Sequence, residues 1–334
     1  MKICVYGAGA VGGVIGARLA LAGREVSLIA RGAHLAAMRA NGITLRHAGR
    51  ERGIAVACAD DPRALGPQDL VICAAKAHSL TAVARDIAPL LRPDTPVVFA
   101  INGVPWWYFH RCGGAWDGTR LETVDPGGAI WERIGPERAI GCVVYMAADV
   151  PAPGVVSHNT GGRLILGEPD GSESDRLAAI AAALGVEGLA PEVSRRIRDD
   201  VFVKLLSNLS INIVAVLTRL AADRIIAEPR LRALVKAMMA ECVTVGTAIG
   251  ADLDIDLEAR VKAVERIGAF RPSTLQDLEA GRKLEIEALI GVVAELGRIA
   301  GVPTPTIDVV YALARALAEN LGLYPKQDAL NDDR

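Results

Sequence analysis

Residues 2–31 read KICVYGAGAVGGVIGARLALAGREVSLIAR. An apolar run leads directly into Gly7-x-Gly9-x-x-Gly12, a helical stretch follows, and a second apolar run ends at Arg31. The glycine spacing alone is common, but here a strand precedes it, a helix follows it, and the whole unit spans about 30 residues. This setting predicts a β-α-β unit that binds a dinucleotide.

Each glycine of this loop has a separate expected role. Gly7 permits the tight turn, Gly9 lets the backbone approach a pyrophosphate, and Gly12 lets the helix pack closely on the strand. The phosphates would then lie at the start of the helix, where free N–H groups and the helix dipole favour anions. We therefore predict that the cofactor binds at Gly7, Gly9, Ala10, Val11 and Gly12.

The residue at the end of the second strand distinguishes the two nicotinamide dinucleotides. In an NAD site, an Asp or Glu usually stands there and binds the ribose hydroxyls. Here Arg31 stands there, and no acidic residue follows before Glu51. Since a guanidinium pairs with a 2′-phosphate and stacks on adenine, Arg31 favours NADP(H). The alternative is that Arg31 is only a solvated residue at a strand end.

The first half of the chain alternates short β-branched runs with helical stretches, which predicts a parallel sheet covered by helices. The predicted strands are residues 2–6, 25–30, 70–75, 97–101 and 140–146, and the predicted helices are residues 11–22, 34–40 and 80–91. We also expect a hairpin whose strands, residues 154–158 and 163–166, are joined by Gly161-Gly162.

Helical periodicity dominates the second half, with proline and glycine at the ends of several stretches. The predicted helices are residues 174–184, 196–220, 228–250, 257–268, 275–300 and 305–321. We therefore predict a Rossmann-type α/β domain over residues 1–192, which binds the dinucleotide, and an all-α domain over residues 193–334, which binds the substrate and carries the catalytic groups.

Length and composition narrow the class of protein. The chain has 334 residues, and its 37 Lys and Arg against 39 Asp and Glu give a formal net charge of −2. We therefore expect neither nucleic acid nor an acidic membrane as a partner. No apolar run reaches about 18 residues, so we expect no membrane span. The six cysteines and five histidines show no metal-ligand spacing, which predicts reduced thiols in the cytoplasm and no metal site.

Two polar residues follow strands of the predicted sheet. Lys76 comes after LVICAA, and Asn102 comes after VVFAI. Ligands of open α/β sheets bind beyond the carboxyl ends of the strands, so both residues are candidates for contact with the cofactor or the substrate. Either one alone is equally well explained as an ordinary loop residue.

A helical stretch of the second half, DDVFVKLLSNLSINIVAVL, carries Lys204, Asn208 and Asn212 at spacings of i, i+4 and i+8. This spacing places them on one face of a helix whose other residues are apolar. Buried amine and amide groups need polar partners, and a ligand in a cleft would supply them. Lys204 would then act as a general acid. The alternative is a lysine that reaches solvent and asparagines that bond to the backbone.

A third segment reads FRPSTLQDLEAGRKLEIEALIG. Ser273 and Gln276 fit a capping box, which is a structural role. Further along, Glu285 and Glu287 are both candidate acidic partners for a substrate hydroxyl or for Lys204. Spacing alone does not separate the two glutamates, and either one also fits a solvated helix face.

Taken in order, these motifs resemble the ketopantoate reductase (2-dehydropantoate 2-reductase) family over about residues 1–320. The resemblance implies a Rossmann domain joined to a helical domain like that of 6-phosphogluconate dehydrogenase, with the site in the cleft between them. It implies reduction of ketopantoate to (R)-pantoate by NADPH, in pantothenate and coenzyme A synthesis. The implied partner is a small 2-oxo acid, and a homodimer is compatible with the sequence.

By position, the resemblance makes Lys204 the proton donor to the ketone oxygen and selects Glu285 over Glu287 as the active-site glutamate. The residues that it implies at the substrate are Asn208, Asn212 and Ser273, and those that it implies at NADPH are Arg31, Lys76 and Asn102. Two alternatives remain open: a related NADPH-dependent reductase of another 2-oxo or β-hydroxy acid, and a dinucleotide-binding sensor without catalysis.

The chain departs from the family pattern in two places. The tryptophan often found near the catalytic lysine is absent from VFVKLLSN, and a long segment, residues 104–128, follows Asn102. Near its start, this segment has four aromatic side chains in a row, at residues 106–109. They either wall a larger pocket over the nicotinamide or pack within an insertion or a subunit contact.

Overall fold

The computed structural model of the chain describes residues 1–324. The chain divides into two compact units, Met1–Asp200 and Val201–Arg334. The division falls within the helix Ile197–Ser207. The predicted division between residues 192 and 193 lies earlier, inside the strand Ala190–Val193. Residues 325–334 of the predicted second domain lie outside the described residues.

The described part of the first unit holds one sheet of ten strands, in the order β4-β3-β9-β8-β7-β6-β1-β2-β5, with β10 paired to β9. These strands are β1 (Lys2–Tyr6), β2 (Glu25–Ile29), β3 (Ile43–His47), β4 (Arg50–Ile54), β5 (Ala57–Ala59), β6 (Leu70–Cys73), β7 (Val97–Phe99), β8 (Ala139–Ala152), β9 (Val155–Gly167) and β10 (Ala190–Val193). Pairing is parallel from β8 through β7, β6, β1 and β2 to β5, and antiparallel between β8 and β9 and between β3 and β4.

Helices cover this sheet: α1 (Ala10–Leu21), α2 (Gly32–Asn41), α3 (Leu80–Asp86), α4 (Ala129–Ile134) and α5 (Asp175–Leu184). The central strands β1, β6 and β7 are apolar and almost wholly buried, as expected for parallel strands covered on both faces. The helix α1 packs on β1, β2, β8 and β9 and buries Val14, Ile15 and Leu19. The predicted Rossmann-type fold of the first half is confirmed.

The predicted hairpin is wrong in its details. Residues 155–158 and 163–166 belong to one strand, β9, and the turn that joins it to β8 lies at residues 153–154. Gly161 and Gly162 lie within β9 at positive φ, where the register with β8 shifts between Tyr145 and Met146. The glycine pair is therefore a bulge inside a strand, because residues without a side chain accept these backbone angles.

The strands β3, β4, β5 and β10 were not predicted. They are three to five residues long, and β4 and β10 read RERGI and APEV, without an apolar alternation. The strands β4 and β5 end the strand order and β10 pairs beside β9, and the exposed face of such a strand removes the need for apolar residues.

All regular elements described beyond residue 200 are helical, which confirms the predicted all-α second half. They are α6 (Ile197–Ser207), α7 (Ile213–Thr218), α8 (Ala222–Ala227), α9 (Pro229–Ala248), α10 (Leu257–Ile267), α11 (Ser273–Glu279), α12 (Val292–Ala300) and α13 (Pro305–Asn320). Two π-helical segments, Asn208–Asn212 and Glu287–Gly291, lie before α7 and α12 respectively.

The predicted helix over residues 275–300 is wrong as one element. The helix α11 ends at Glu279, and helical structure resumes only at Ile286. Gly281 adopts a φ of 63°, which leaves the helical region and permits the break. The predicted capping box is also wrong, since Pro272 caps α11 and the side-chain amide of Gln276 donates to the Arg271 carbonyl at 2.8 Å.

One helix of the described chain, Ile197–Thr218, is long and apolar enough to cross a membrane by length and composition. It consists of α6, the π-helical segment Asn208–Asn212 and α7. In its most apolar window, 67% of the residues are buried within the protein. A buried core helix meets the same criteria, so its composition alone is weak support for a membrane span.

Candidate active site

The carboxyl ends of four neighbouring parallel strands form one edge of the first unit. Their last residues lie in one row, because Tyr6 pairs with Ile29 of β2 and with Cys73 of β6, and Cys73 pairs with Phe99 of β7. The predicted cofactor residues Gly7, Arg31, Lys76 and Asn102 follow these four ends within one to three residues. Because adjacent strands lie about 5 Å apart, the fold brings all four predicted positions to the same edge of the sheet.

The glycine loop has the backbone that its spacing predicts. Gly7 adopts a φ of 96°, and an added Cβ there would lie 2.8 Å from the Ala75 nitrogen. An added Cβ at Gly12 would lie 2.2 Å from the Gly7 carbonyl oxygen, so the start of α1 rests directly on the turn. Gly7 and Gly12 thus need glycine for the turn and for the close packing of helix on strand.

Gly9 differs from these two glycines, because it is exposed and faces open space. Among the described residues, no atom beyond its chain neighbours and its own helix lies within 4 Å of a Cβ added at Gly9. Gly9 caps α1, whose first turn begins with Ala10 and Val11 and contains no acidic side chain. The backbone N–H groups of this turn are therefore accessible beside a bare glycine, an arrangement that fits the pyrophosphate of a dinucleotide.

Arg31 caps α2, and its side chain is 65% exposed. Its Nη2 lies 4.0 Å from Oδ2 of Asp86, the last residue of α3. A hydrogen bond joins the first turn of α2, which contains His34, to the β8–β9 turn: the Gly154 N–H donates to Nδ1 of His34 at 2.9 Å. The pKa of the nearby Tyr6 hydroxyl is raised to about 12, mainly by burial and secondly by the negative charge of Asp86. The guanidinium is thus accessible, with one acidic neighbour across the strand ends.

Lys76 and Asn102 differ in exposure. Lys76 is exposed and precedes a short 3-10 turn, Ala77–Ser79. Asn102 is half-buried in the loop that follows β7. Each lies three residues beyond the end of its strand. The two residues therefore occupy corresponding positions after adjacent strands, β6 and β7.

The four aromatic side chains after Asn102 belong to the core of the first unit. Trp106, Trp107, Tyr108 and Phe109 are each 1% exposed. The Trp106 ring packs edge-on against Phe99, with ring centroids 5.4 Å apart. Of the two alternatives left by the sequence, these contacts favour packing over an open pocket wall.

The helix with Lys204, Asn208 and Asn212 has the environment that its composition predicts. Lys204 and Asn208 are half-buried, and Asn212 is 8% exposed. The Asn212 amide donates to Oδ1 of Asn208 at 3.3 Å, so these two side chains share a face. Both lie in the π-helical segment, a deviation from α-helix that is frequent at functional sites.

The two candidate glutamates have different surroundings. Glu285 is 7% exposed and lies just before the helical turn at Ile286. Glu287 accepts hydrogen bonds from the hydroxyl of Tyr311, at 2.8 and 2.9 Å to its two oxygens, and from that of Tyr324. Hydrogen bonds from these two phenols, all within the second unit, explain the position of the Glu287 carboxylate. The role of Glu285 remains the prediction made from the resemblance.

The second unit brings the elements that carry its predicted residues together. The segment Asn208–Asn212 contacts both α11 and the segment Glu287–Gly291. Ser273 is the first residue of α11 and is exposed, and Glu285 lies two residues before the segment Glu287–Gly291.

Sequence reasoning missed the acid beside Arg31 and the two phenols on Glu287. Asp86 is far from Arg31 in the chain, and no motif marks it. Tyr324 lies 37 residues from Glu287, so the contact depends on tertiary packing. In each case the contact joins residues that are distant in the sequence, so no local spacing of residues predicts it.

Comparisons with known proteins agree with the resemblance. The family described as "Ketopantoate reductase PanE/ApbA" matches residues 3–106, and "Ketopantoate reductase PanE/ApbA C terminal" matches residues 196–318. A 2-dehydropantoate 2-reductase of Mesorhizobium japonicum is 49% identical over 97% of this chain and 100% of its own length.

Solved structures share the fold. The crystal structure of a candidate ketopantoate reductase from Ralstonia solanacearum has a TM-score of 0.92 and 46% identity, covering 97% of this chain and 99% of that one. A ternary complex of D-mandelate dehydrogenase with NADH and anilino(oxo)acetate has a TM-score of 0.82 and 23% identity, covering 97% of this chain and 100% of that one. At this lower identity, the second likeness bears on the fold alone.

Proposed function

Since the chain belongs to the ketopantoate reductase family, we propose that it reduces 2-dehydropantoate to (R)-pantoate with NADPH, a step of pantothenate and coenzyme A synthesis. Family membership makes the chain a dinucleotide-dependent oxidoreductase that acts on CH–OH groups. The observation that carries the proposal is the helix in which Lys204, Asn208 and Asn212 follow one another at four-residue spacing among buried apolar side chains.

We assign dinucleotide binding to the first unit and substrate binding to the second. Gly9 leaves the start of α1 open, so the N–H groups of Ala10 and Val11 are accessible to the pyrophosphate, and Gly7 and Gly12 give the turn and the close packing beneath it. The carboxyl edge of the sheet adds the side chains of Arg31, Lys76 and Asn102. When bound, the nicotinamide supplies the hydride that the keto carbon accepts.

NADP(H) is the proposed cofactor because Arg31 stands where an NAD site has an acid. The guanidinium is 65% exposed, so it is accessible to a 2′-phosphate, which it binds by charge-assisted hydrogen bonds. Asp86 would weaken binding of the same phosphate, because its carboxylate repels an anion near Arg31.

The catalytic residues then have separate proposed roles. The Lys204 ammonium donates its proton to the ketone oxygen as negative charge develops there, and the product is a hydroxyl group. The amides of Asn208 and Asn212 and the Ser273 hydroxyl hold the substrate by hydrogen bonds. The Glu285 carboxylate accepts a hydrogen bond from a substrate hydroxyl. Turnover requires the cofactor and the substrate to meet with the keto carbon within reach of the hydride.

The six cysteines, all within the described residues, form no disulfide with one another. Cysteines that form no disulfide, four of them buried here, are typical of proteins in a reducing compartment. This supports the proposal that the enzyme acts in the cytoplasm.

A panel of 2-oxo acids tests the proposed function. We expect ketopantoate to drive loss of the NADPH absorbance with a kcat/KM well above that of pyruvate, 2-oxoisovalerate and benzoylformate. Preference for a different acid would replace ketopantoate with that substrate and keep the reductase chemistry. Tight NADPH binding without turnover of any acid would favour a dinucleotide-binding sensor and contradict the proposal.

A further inference from the structure

The segment that precedes Glu285 is not helical, yet it is fixed at both of its ends. Residues 280–285 separate α11 from the helical turn at Ile286. Near the start of the segment, the Arg282 N–H donates to the Asp277 carbonyl at 2.8 Å, and Arg282 Nε donates to Oδ1 of Asp277 at 2.8 Å. Near its end, the Leu284 N–H donates to the Leu323 carbonyl at 3.0 Å. The backbone on the N-terminal side of Glu285 therefore depends on residues that follow α13.

The C-terminal side of Glu285 is fixed by a carboxylate and two phenols. Glu287, Tyr311 and Tyr324 form a group that we call the phenol clamp. The Tyr311 hydroxyl donates to both oxygens of Glu287, at 2.8 and 2.9 Å, and the Tyr324 hydroxyl donates to one of them. Tyr324 directly follows Leu323, so one short stretch of chain holds both sides of Glu285.

The clamp lies over a glycine of the π-helical segment. A Cβ added at Gly291 would lie 2.4 Å from Oε2 of Glu287 and 3.0 Å from Cε2 of Tyr311. The missing side chain is thus the space that the carboxylate and the ring occupy. A π-helical turn is wider than an α-helical turn by one residue. The Glu287 carboxylate and the Tyr311 ring occupy the space at Gly291, so we infer that the clamp needs glycine at this position.

Both phenols of the clamp are protonated near neutral pH and can donate to Glu287. Burial, and next the hydrogen bond to Glu287, raise the pKa of Tyr311 to about 12. The same two causes raise the pKa of Tyr324. Both phenols therefore remain protonated donors near neutral pH. The Arg315 guanidinium lies over the Tyr324 ring, 4.9 Å from its centroid, and adds a favourable contact with the aromatic face.

We propose that the phenol clamp positions Glu285 for the substrate, so that Tyr311 and Tyr324 act on substrate affinity through Glu285 without touching the substrate. This rests on the reductase function proposed above. Glu285 is two residues from Glu287 in a backbone held at Leu284 and Glu287, and loss of the phenol hydroxyls would release the second of these points. Glu287, which the sequence alone did not separate from Glu285, is then a positioning residue.

A double-mutant cycle tests this assignment. Calorimetry measures ketopantoate binding to the full chain saturated with NADP⁺, a complex that cannot turn over. We expect the combined Tyr311→Phe and Tyr324→Phe variant to weaken ketopantoate binding about tenfold, since two hydrogen bonds to a carboxylate are lost. In a Glu285→Gln background, the same two changes should alter the dissociation constant by less than about twofold. The NADP⁺ dissociation constant should not change in any variant.

Tyr145→Phe is the matched control, because it removes a phenol hydroxyl from the first unit and should leave ketopantoate binding unchanged. If the combined variant does not fold, the two single phenylalanine variants serve in the same cycle. Equal losses with and without Glu285→Gln, or no loss in a folded clamp variant, would overturn the positioning role alone. If Glu285→Gln itself binds ketopantoate normally, or the unaltered chain does not bind it, the proposed function of Glu285 or of the protein fails first, and the positioning role with it.

Discussion

The Arg31 guanidinium and the Asp86 carboxylate approach to 4.0 Å at the carboxyl edge of the sheet. Arg31 lies between β2 and α2, Asp86 is the last residue of α3, and both side chains are more than half exposed. An exposed pair of this kind adds little to stability. Its importance is for the ligand, because the same guanidinium is the proposed partner of a 2′-phosphate.

Asp86→Asn should therefore strengthen NADPH binding. The substitution removes a negative charge close to the proposed phosphate position, and we expect the NADPH dissociation constant to fall by about two- to fivefold. The gain should shrink as salt is added, because exposed charges are screened. Fluorescence titration at low and high salt measures both effects, and NADH binding, which lacks the phosphate, serves as the control. An equal gain for NADH would argue against a phosphate at this place.

Arg31→Ala should have the opposite effect and discriminate between the cofactors. Loss of a charge-assisted hydrogen bond to phosphate should raise the NADPH dissociation constant by about tenfold or more. NADH binding should change much less. Titrations with the two cofactors decide the point, and equal losses would leave the NADP assignment without support.

Gly9→Ala and Gly12→Ala should separate the two roles of glycine in the loop. At Gly12 the added Cβ would meet the Gly7 carbonyl at 2.2 Å, so we expect a loss of about 1–3 kcal/mol in unfolding free energy from overpacking. At Gly9 the backbone has a φ of −75° and the space is open. Gly9→Ala should therefore keep its stability and weaken NADPH binding. Denaturant unfolding measures the stability of both variants, and titration measures their affinity for NADPH. Normal NADPH binding by Gly9→Ala would contradict the proposed role of Gly9.

His158 should make the stability of the protein depend on pH. It is 2% exposed, its Nδ1 accepts from Arg18 at 3.0 Å, and its Nε2 donates to the Gly161 carbonyl at 2.9 Å. The ring is therefore neutral, and burial, reinforced by the charge of Arg18 and by His47, lowers its pKa below 6.5.

Because the unfolded chain binds this proton more tightly, the stability contributed by neutral His158 is complete above about pH 6.5 and is lost as pH falls through the lowered pKa. Denaturant midpoints measured from pH 7.5 to about pH 5 should fall. His158→Gln retains an acceptor and a donor but does not titrate, so its midpoint should fall less steeply. Identical slopes for the two proteins would remove His158 as the cause.

Much of the first unit was predictable because its signals are local. The run of residues 2–6, the glycine loop and the apolar strands before Lys76 and Asn102 determine strand ends to within a few residues. The bulge at Gly161-Gly162 was not predictable in this way, since a glycine pair between apolar runs is equally typical of a hairpin turn. Only the pairing of β9 with β8 distinguishes the two.

The local geometry around the candidate residues of the second unit was only partly predictable. Four-residue spacing correctly placed Asn208 and Asn212 on one face, although the segment is π-helical. Glu285 was expected inside a long helix and instead follows a break at Gly281, because residues 280–285 exchange helical hydrogen bonds for contacts with Asp277 and Leu323. Contacts between residues far apart in the chain leave no periodic signal.

Single-turnover reduction of ketopantoate by Lys204→Ala tests the central claim, that the Lys204 ammonium protonates the ketone oxygen. With the variant saturated in NADPH, we expect the rate to fall by about 10²–10⁴-fold while the NADPH dissociation constant stays within about twofold of its original value. A folded Lys204→Ala variant that reduces ketopantoate at the original rate would contradict the account.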